Sequence, residues 1–142
     1  MCSSLQSYKY NKNKVRTAAA SCLSYNIIYL VVCKICKKHY VGRSCRPLCT
    51  RIGEHRRHYY SILNNKSCPR TEDDESALGA HLHRHGFRDR EDFDNVYEVC
   101  VLEVCSPRVL EVKEHVYIHR TNSLSPNGIN ISNPFAMPLL YR

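Results

Sequence analysis

Residues 26–42 read NIIYLVVCKICKKHYVG, and no other stretch limits the fold so tightly. Within residues 24–32, Ile27, Ile28, Tyr29, Val31 and Val32 make a run rich in β-branched and aromatic side chains, as a buried strand requires. Residues 34–38 are polar enough to turn, and residues 39–43 supply a second short strand, so a hairpin is expected. Each strand carries a tyrosine, Tyr29 and Tyr40, and a Cys-Lys-Ile-Cys tetrapeptide, Cys33 to Cys36, lies between them.

The rest of the chain supplies helices and one more strand. Proline suits a first helical turn, so Arg46-Pro47 opens the first helix. Leu48, Ile52, His55, Tyr59 and Ile62 recur at spacings of four and three, which defines one buried stripe. Residues 64–75 (NNKSCPRTEDDE) read as a loop, after which Asp73 or Asp74 can cap a second helix and Gly86 can end it. A third strand is expected at 97–105, a third helix from Ser106-Pro107, and a turn-rich segment at 122–134 with its tightest turn at Asn127-Gly128. The order β-β-α-α-β-α predicts an α+β fold, a small three-stranded antiparallel or mixed sheet flanked by about three helices. Residues 1–23 are expected to form a basic, flexible tail with a helical turn at 17–20; residues 24–135 form the domain, and 136–142 a C-terminal tail.

Composition narrows the setting. The apolar fraction of 43% is globular, and no run approaches the ~18 apolar residues of a membrane-spanning helix. The opening MCSSLQSYKYNKNK lacks the apolar stretch of a secretory signal. An intracellular, reducing compartment is therefore expected, where nine cysteines stay as thiols and Cys-x-x-Cys suits a metal better than a disulfide. Charge is uneven: the first 53 residues hold ten basic side chains and no acid, and the other eleven Lys and Arg face all 13 acidic residues. A polyanion would bind such a basic half through counterion release; a merely basic, soluble surface is the plain alternative.

Three polar residues fall where apolar ones belong. Arg51 and His55 lie one turn apart on the first helix, with His55 inside the apolar stripe. On the third helix Leu110, Glu114, Tyr117, Ile118 and Thr121 share a face, so Glu114 points inward. A buried carboxylate needs a partner: either an ion pair, with Arg51 as candidate, or a cation bound beside a phosphate-binding arginine.

These residues, taken with the hairpin, resemble the GIY-YIG nuclease superfamily. Ile27-Ile28-Tyr29 matches its first motif and Tyr40-Val41-Gly42 its second, with ten residues between the tyrosines. TRIGEH carries the helix arginine and histidine (Arg51, His55), KEHVYI the glutamate (Glu114), and PNGINIS the closing asparagine (Asn130). The match runs from about residue 26 to 132 in the family's order; it departs at Ile27, which stands where the first motif has glycine. Cysteines between the tyrosine motifs and histidines on the second helix are similar to the endonuclease module of Penelope-like retroelements.

The resemblance implies a metal-dependent DNA endonuclease of mobile-element type. One of Tyr29 and Tyr40, Tyr29 for choice, would orient or deprotonate the attacking water, Arg51 would clamp the phosphate, and His55 would relay a proton or position a tyrosine. Glu114 would hold Mg²⁺ or Mn²⁺, whose hard character suits carboxylate oxygens, and Asn130 would support the metal and phosphate through its side-chain amide. It also implies a structural zinc bound by Cys33, Cys36, His81 and His85, the histidines one turn apart and His83 on the other side. Cys45 and Cys49 offer a rival, four-thiolate set with Cys33 and Cys36, and a chain that binds no metal there is the third reading. DNA is the expected partner, a reverse transcriptase a possible fusion or associate, and the nucleus the location for a eukaryotic mobile element. Two other readings stand beside this one: a zinc-stabilised nucleic-acid-binding module that does not cleave, and a protein-interaction fragment of a larger polyprotein.

Overall fold

The computed structural model describes residues 8–10, 13–15, 21–65 and 77–131. Strands β1 (Tyr8–Tyr10) and β2 (Asn13–Val15) pair antiparallel, where the sequence suggests only a tail; three residues of alternation are too few to stand out in a polar segment. The helical turn expected at 17–20, the Asp73 or Asp74 cap and the C-terminal tail lie outside the described residues.

The domain is built on an antiparallel sheet in the order β4-β3-β5, comprising β3 (Ile27–Cys33), β4 (His39–Ser44) and β5 (Tyr97–Val104). All seven β3 residues are buried, because alternate side chains feed two cores. Ile27, Tyr29, Val31 and Cys33 enter one; Ile28, Leu30 and Val32 enter the other. Each large apolar side chain so buried stabilises by about 1.5–3 kcal/mol, and a charge at Leu30 or Val31 would meet hydrocarbon on either side. The register against β5 shifts between Ile28 and Tyr29, leaving Leu102 as an extra residue.

Helices cover both faces. On the first core lie α1 (Leu48–Asn65), α2 (Ala77–Arg84) and α3 (Asp92–Val96), through Leu48, Ile52, Tyr59, Leu78, Leu82, Phe93 and Val96. On the second lies α4 (Leu110–Thr121), through Leu110 and Ile118. The expected α1 stripe is buried, His55 included, with Ile62 partly covered. Gly86 ends α2 with a φ of 92°. Its N–H donates to the His83 carbonyl and that of Phe87 to Leu82, the paired bonds of a left-handed helix stop. The five-residue α3 is too short for its periodicity to show in the sequence. A 3-10 turn, Pro107–Val109, precedes α4, with the Ser106 hydroxyl accepting from the Arg108 N–H.

The free edge of β4 is closed by the returning chain, where the Ile129 N–H donates to the His39 carbonyl at 2.8 Å. No helix among the described residues is long and apolar enough to cross a membrane.

Candidate functional site

Cross-strand geometry brings the two tyrosines together diagonally. Tyr29 stands opposite Gly42, and Tyr40 opposite Val31, so both rings project from the same face of the sheet. Their centroids are 6.4 Å apart. Gly42 makes the arrangement possible, since a Cβ there would fall 2.3 Å from the Tyr29 hydroxyl oxygen. The Tyr29 ring lies across the very space a side chain would use.

Helix α1 supplies the next two groups. His55 Nε2 lies 2.7 Å from the Tyr29 oxygen, and its ring meets that of Tyr40 edge-on, centroids 5.4 Å apart. Tyr29, Tyr40 and His55 are all essentially inaccessible to solvent. Arg51, one turn earlier, keeps a side-chain exposure of 15%. Burial would lower its pKa, but Tyr29, Glu54 and Tyr40 outweigh that and hold the guanidinium charged more firmly than usual.

Glu54 escaped the sequence reading. It accepts from Arg51 Nη1 at 2.9 Å and also pairs with Arg46. Partial burial would raise its pKa, but the two arginines prevail and keep it below the usual carboxylate range. The signal lay in the three-residue spacing from Arg51, which sets the two side chains on one face. The ion pair of Arg51 with Glu54 thus answers part of what Glu114 was considered for.

Asn130 is 1% exposed, and its amide is committed to the sheet. The Val41 N–H donates to Asn130 Oδ1 at 2.8 Å, and Asn130 Nδ2 donates to the Val41 carbonyl at 2.9 Å. The side chain acts as a substitute strand residue that fixes Val41, between Tyr40 and Gly42. The amide is thus taken up by β4 and not turned to a metal or phosphate as the sequence suggests, so its support for the site runs through that strand. Glu114 is partly buried on α4, in the layer behind the sheet and beside the β4 edge. One turn before it, Glu111 pairs with Arg43 of β4 at 3.5 Å. The structure thus gathers Tyr29, Tyr40, Arg51 and His55 on one face, anchors their edge strand through Asn130, and sets Glu114 on the other side of that edge.

A second cluster forms at the far end of the hairpin. The ligand atoms of Cys33, Cys36, His81 and His85 all lie within 4.8 Å of one another. Cys36 Sγ is 3.3 Å from His81 Nε2, which is 3.2 Å from His85 Nε2. Bond lengths to tetrahedral zinc imply separations of about 3.3–3.6 Å for such pairs, so this donor set fits a metal ion such as zinc. Burial, with His85, Arg84 and Lys38, lowers the His81 pKa to about 4, leaving the neutral imidazole a metal needs. Burial pushes the Cys33 thiol up, a cost that binding a dication would offset. Cys45 and Cys49 are exposed and belong to no such cluster among the described residues; the rival four-thiolate set is not assembled.

No protein-family model, no curated protein and no solved structure matches this chain.

Proposed function

We propose that the chain is a divalent-metal-dependent DNA endonuclease of GIY-YIG type, similar to the module of Penelope-like retroelements and stabilised by a separate zinc. The observation that carries this reading is the Tyr29 hydroxyl, held 2.7 Å from His55 Nε2 with Arg51 beside it. Phosphodiester hydrolysis needs an activated water and charge neutralisation at the phosphate. A phenol is a weak base at neutral pH, and Arg51 together with His55 supplies what it lacks. The guanidinium favours the phenolate, and the imidazole accepts or returns the phenolic proton. Arg51 also offers a planar fork for two phosphate oxygens, which a lysine would not reproduce. Release from Glu54 would free it for that role.

Glu114 is the oxygen donor suited to Mg²⁺ or Mn²⁺, which would neutralise phosphate charge and assist the leaving oxygen. Tyr40 packs His55 against Tyr29, and Asn130 positions the strand bearing Tyr40. Zinc on Cys33, Cys36, His81 and His85 would tie the hairpin turn to α2 with four protein ligands, leaving no open position for chemistry. DNA as the substrate is supported by the first 53 residues, with ten basic side chains and no acid. The test is conversion of supercoiled plasmid to nicked circles with Mg²⁺ or Mn²⁺ by the wild type and not by Glu114→Ala.

One observation favours a second reading. Tyr29 is 0% exposed, as a structural phenol would be, and this suits a zinc-stabilised nucleic-acid-binding module that does not cleave. Salt-sensitive DNA binding retained in Glu114→Ala, with no nicking by the wild type, would select it.

A further inference from the structure

A groove of about 490 Å³ opens between α2 and the segment 125–131 that returns along β4. Its floor is apolar, from the buried Ala77 and Ile129, and Lys38, Arg84, His85 and Pro126 also line it. Among the described residues, none that lines it is acidic. Lys38 and Arg84 form no ion pair with any described residue, although five ion pairs occupy other arginines and lysines. Two cations sharing one concave wall repel each other, and an anion in the groove would relieve that cost.

The Cys33 N–H donates to the Lys38 carbonyl at 3.0 Å, so Lys38 extends the β3–β4 ladder by one position. Side chains alternate along a strand, which puts Lys38 on the side of the sheet that carries Tyr40. Ala77 and Ile129 of the floor pack in the same core as Tyr40. The volume is far larger than one phosphate needs, and an apolar floor suits sugar and base better than water.

We propose that this groove is a nucleic-acid subsite. Lys38 and Arg84 contact backbone phosphates of one bound strand, and the apolar floor receives a nucleotide of that strand. The subsite rests on the nucleic-acid reading above for its ligand, but not on cleavage. The metal cluster forms one wall through His85, so the same ion that holds the hairpin also shapes the subsite.

The experiment is fluorescence anisotropy of a labelled single-stranded oligonucleotide in Mg²⁺-free buffer over a range of salt. It uses the zinc-loaded full chain as wild type, K38Q/R84Q, K38R/R84K and R108Q, an exposed cation elsewhere. K38Q/R84Q is expected to bind about tenfold more weakly, with the slope of log K against log salt reduced by ~1.4 for two lost contacts. K38R/R84K and R108Q keep the wild-type slope. In the wild type, the oligonucleotide should also shield Lys38, but not Lys113, from amine acylation read by mass spectrometry; this arm stands even if a variant misfolds. An unchanged slope in K38Q/R84Q, or equal acylation of Lys38 with and without oligonucleotide, overturns the subsite and leaves the endonuclease reading intact. Protected Lys38 without plasmid nicking overturns the endonuclease reading and leaves the subsite. A wild type with no salt-dependent binding removes both.

Discussion

Tyr29 and His55 share a hydrogen bond of 2.7 Å although 26 residues separate them in the chain, one on the central strand and the other on the helix that covers it. With Nδ1 protonated, the Tyr29 hydroxyl donates to Nε2. The pair can then hold one proton at either end, while Arg51 stabilises the charge left on the phenol. Every part of the surrounding fold bears on that geometry.

Gly42 is the first such part. Gly42→Ala brings a methyl within 2.3 Å of the Tyr29 oxygen, so the ring must move. We expect a loss of about 1–3 kcal/mol in stability by denaturant unfolding, and a fall in nicking of about a hundredfold, as misplacement of a reacting group by an ångström can cause. Wild-type nicking in this variant would contradict the role given to Tyr29.

Asn130 makes two buried hydrogen bonds to Val41. Asn130→Ala strands both backbone groups, at a cost of about 2–4 kcal/mol. Urea unfolding measures it directly. A loss below about 0.5 kcal/mol, as for an ordinary surface change, would show that the amide does not hold the edge strand.

Much of the fold is legible in the sequence. Tyr29 and Tyr40 sit in runs whose β-branched residues leave little choice but strands, and His55 interrupts a helical stripe that the structure buries. What could not be read depends on distant neighbours. Asn130 stands 89 residues from Val41, and its bond to that backbone has no sequence signature. The choice between His81 with His85 and Cys45 with Cys49 turned on which pair faces Cys33 and Cys36. Both pairs are four residues apart, so spacing alone left it open. Glu54 carries only a weak mark, its three-residue spacing from Arg51, because a glutamate on an exposed-looking helix position is ordinary.

The Cys33, Cys36, His81 and His85 cluster predicts one zinc per chain. Cys36→Ser and His81→Ala should lose the ion, and chelation should lower the melting temperature by about 10 °C, as a ligand worth two to three kcal/mol would. Cys45→Ser and Cys49→Ser should bind zinc as the wild type does. Metal analysis and thermal melting settle the matter, and zinc retained by Cys36→Ser would remove the site.

Acid should destabilise the protein through His39. Burial lowers its pKa to about 4, against an ordinary value of 6.5. The folded state therefore holds His39 neutral where the unfolded chain takes up a proton. Its contribution is fully present above pH 6.5, lost as the pH falls toward 4, and constant below that, amounting to at most about 3 kcal/mol. In the zinc-loaded protein, His39→Gln should flatten the fall in unfolding free energy between pH 6.5 and 5. Parallel curves for the two proteins would contradict this.

The central claim is that Tyr29, His55 and Arg51 form a hydrolytic centre. The most direct measurement is the rate at which supercoiled plasmid becomes nicked circles with Mg²⁺ or Mn²⁺, for wild type, Tyr29→Phe and Arg51→Gln, with each melting temperature recorded. The account predicts nicking by the wild type and a loss of about a hundredfold or more in both variants, with Tyr29→Phe still folded. Intact supercoiled plasmid with the wild type, or equal rates for wild type and Tyr29→Phe, would contradict it.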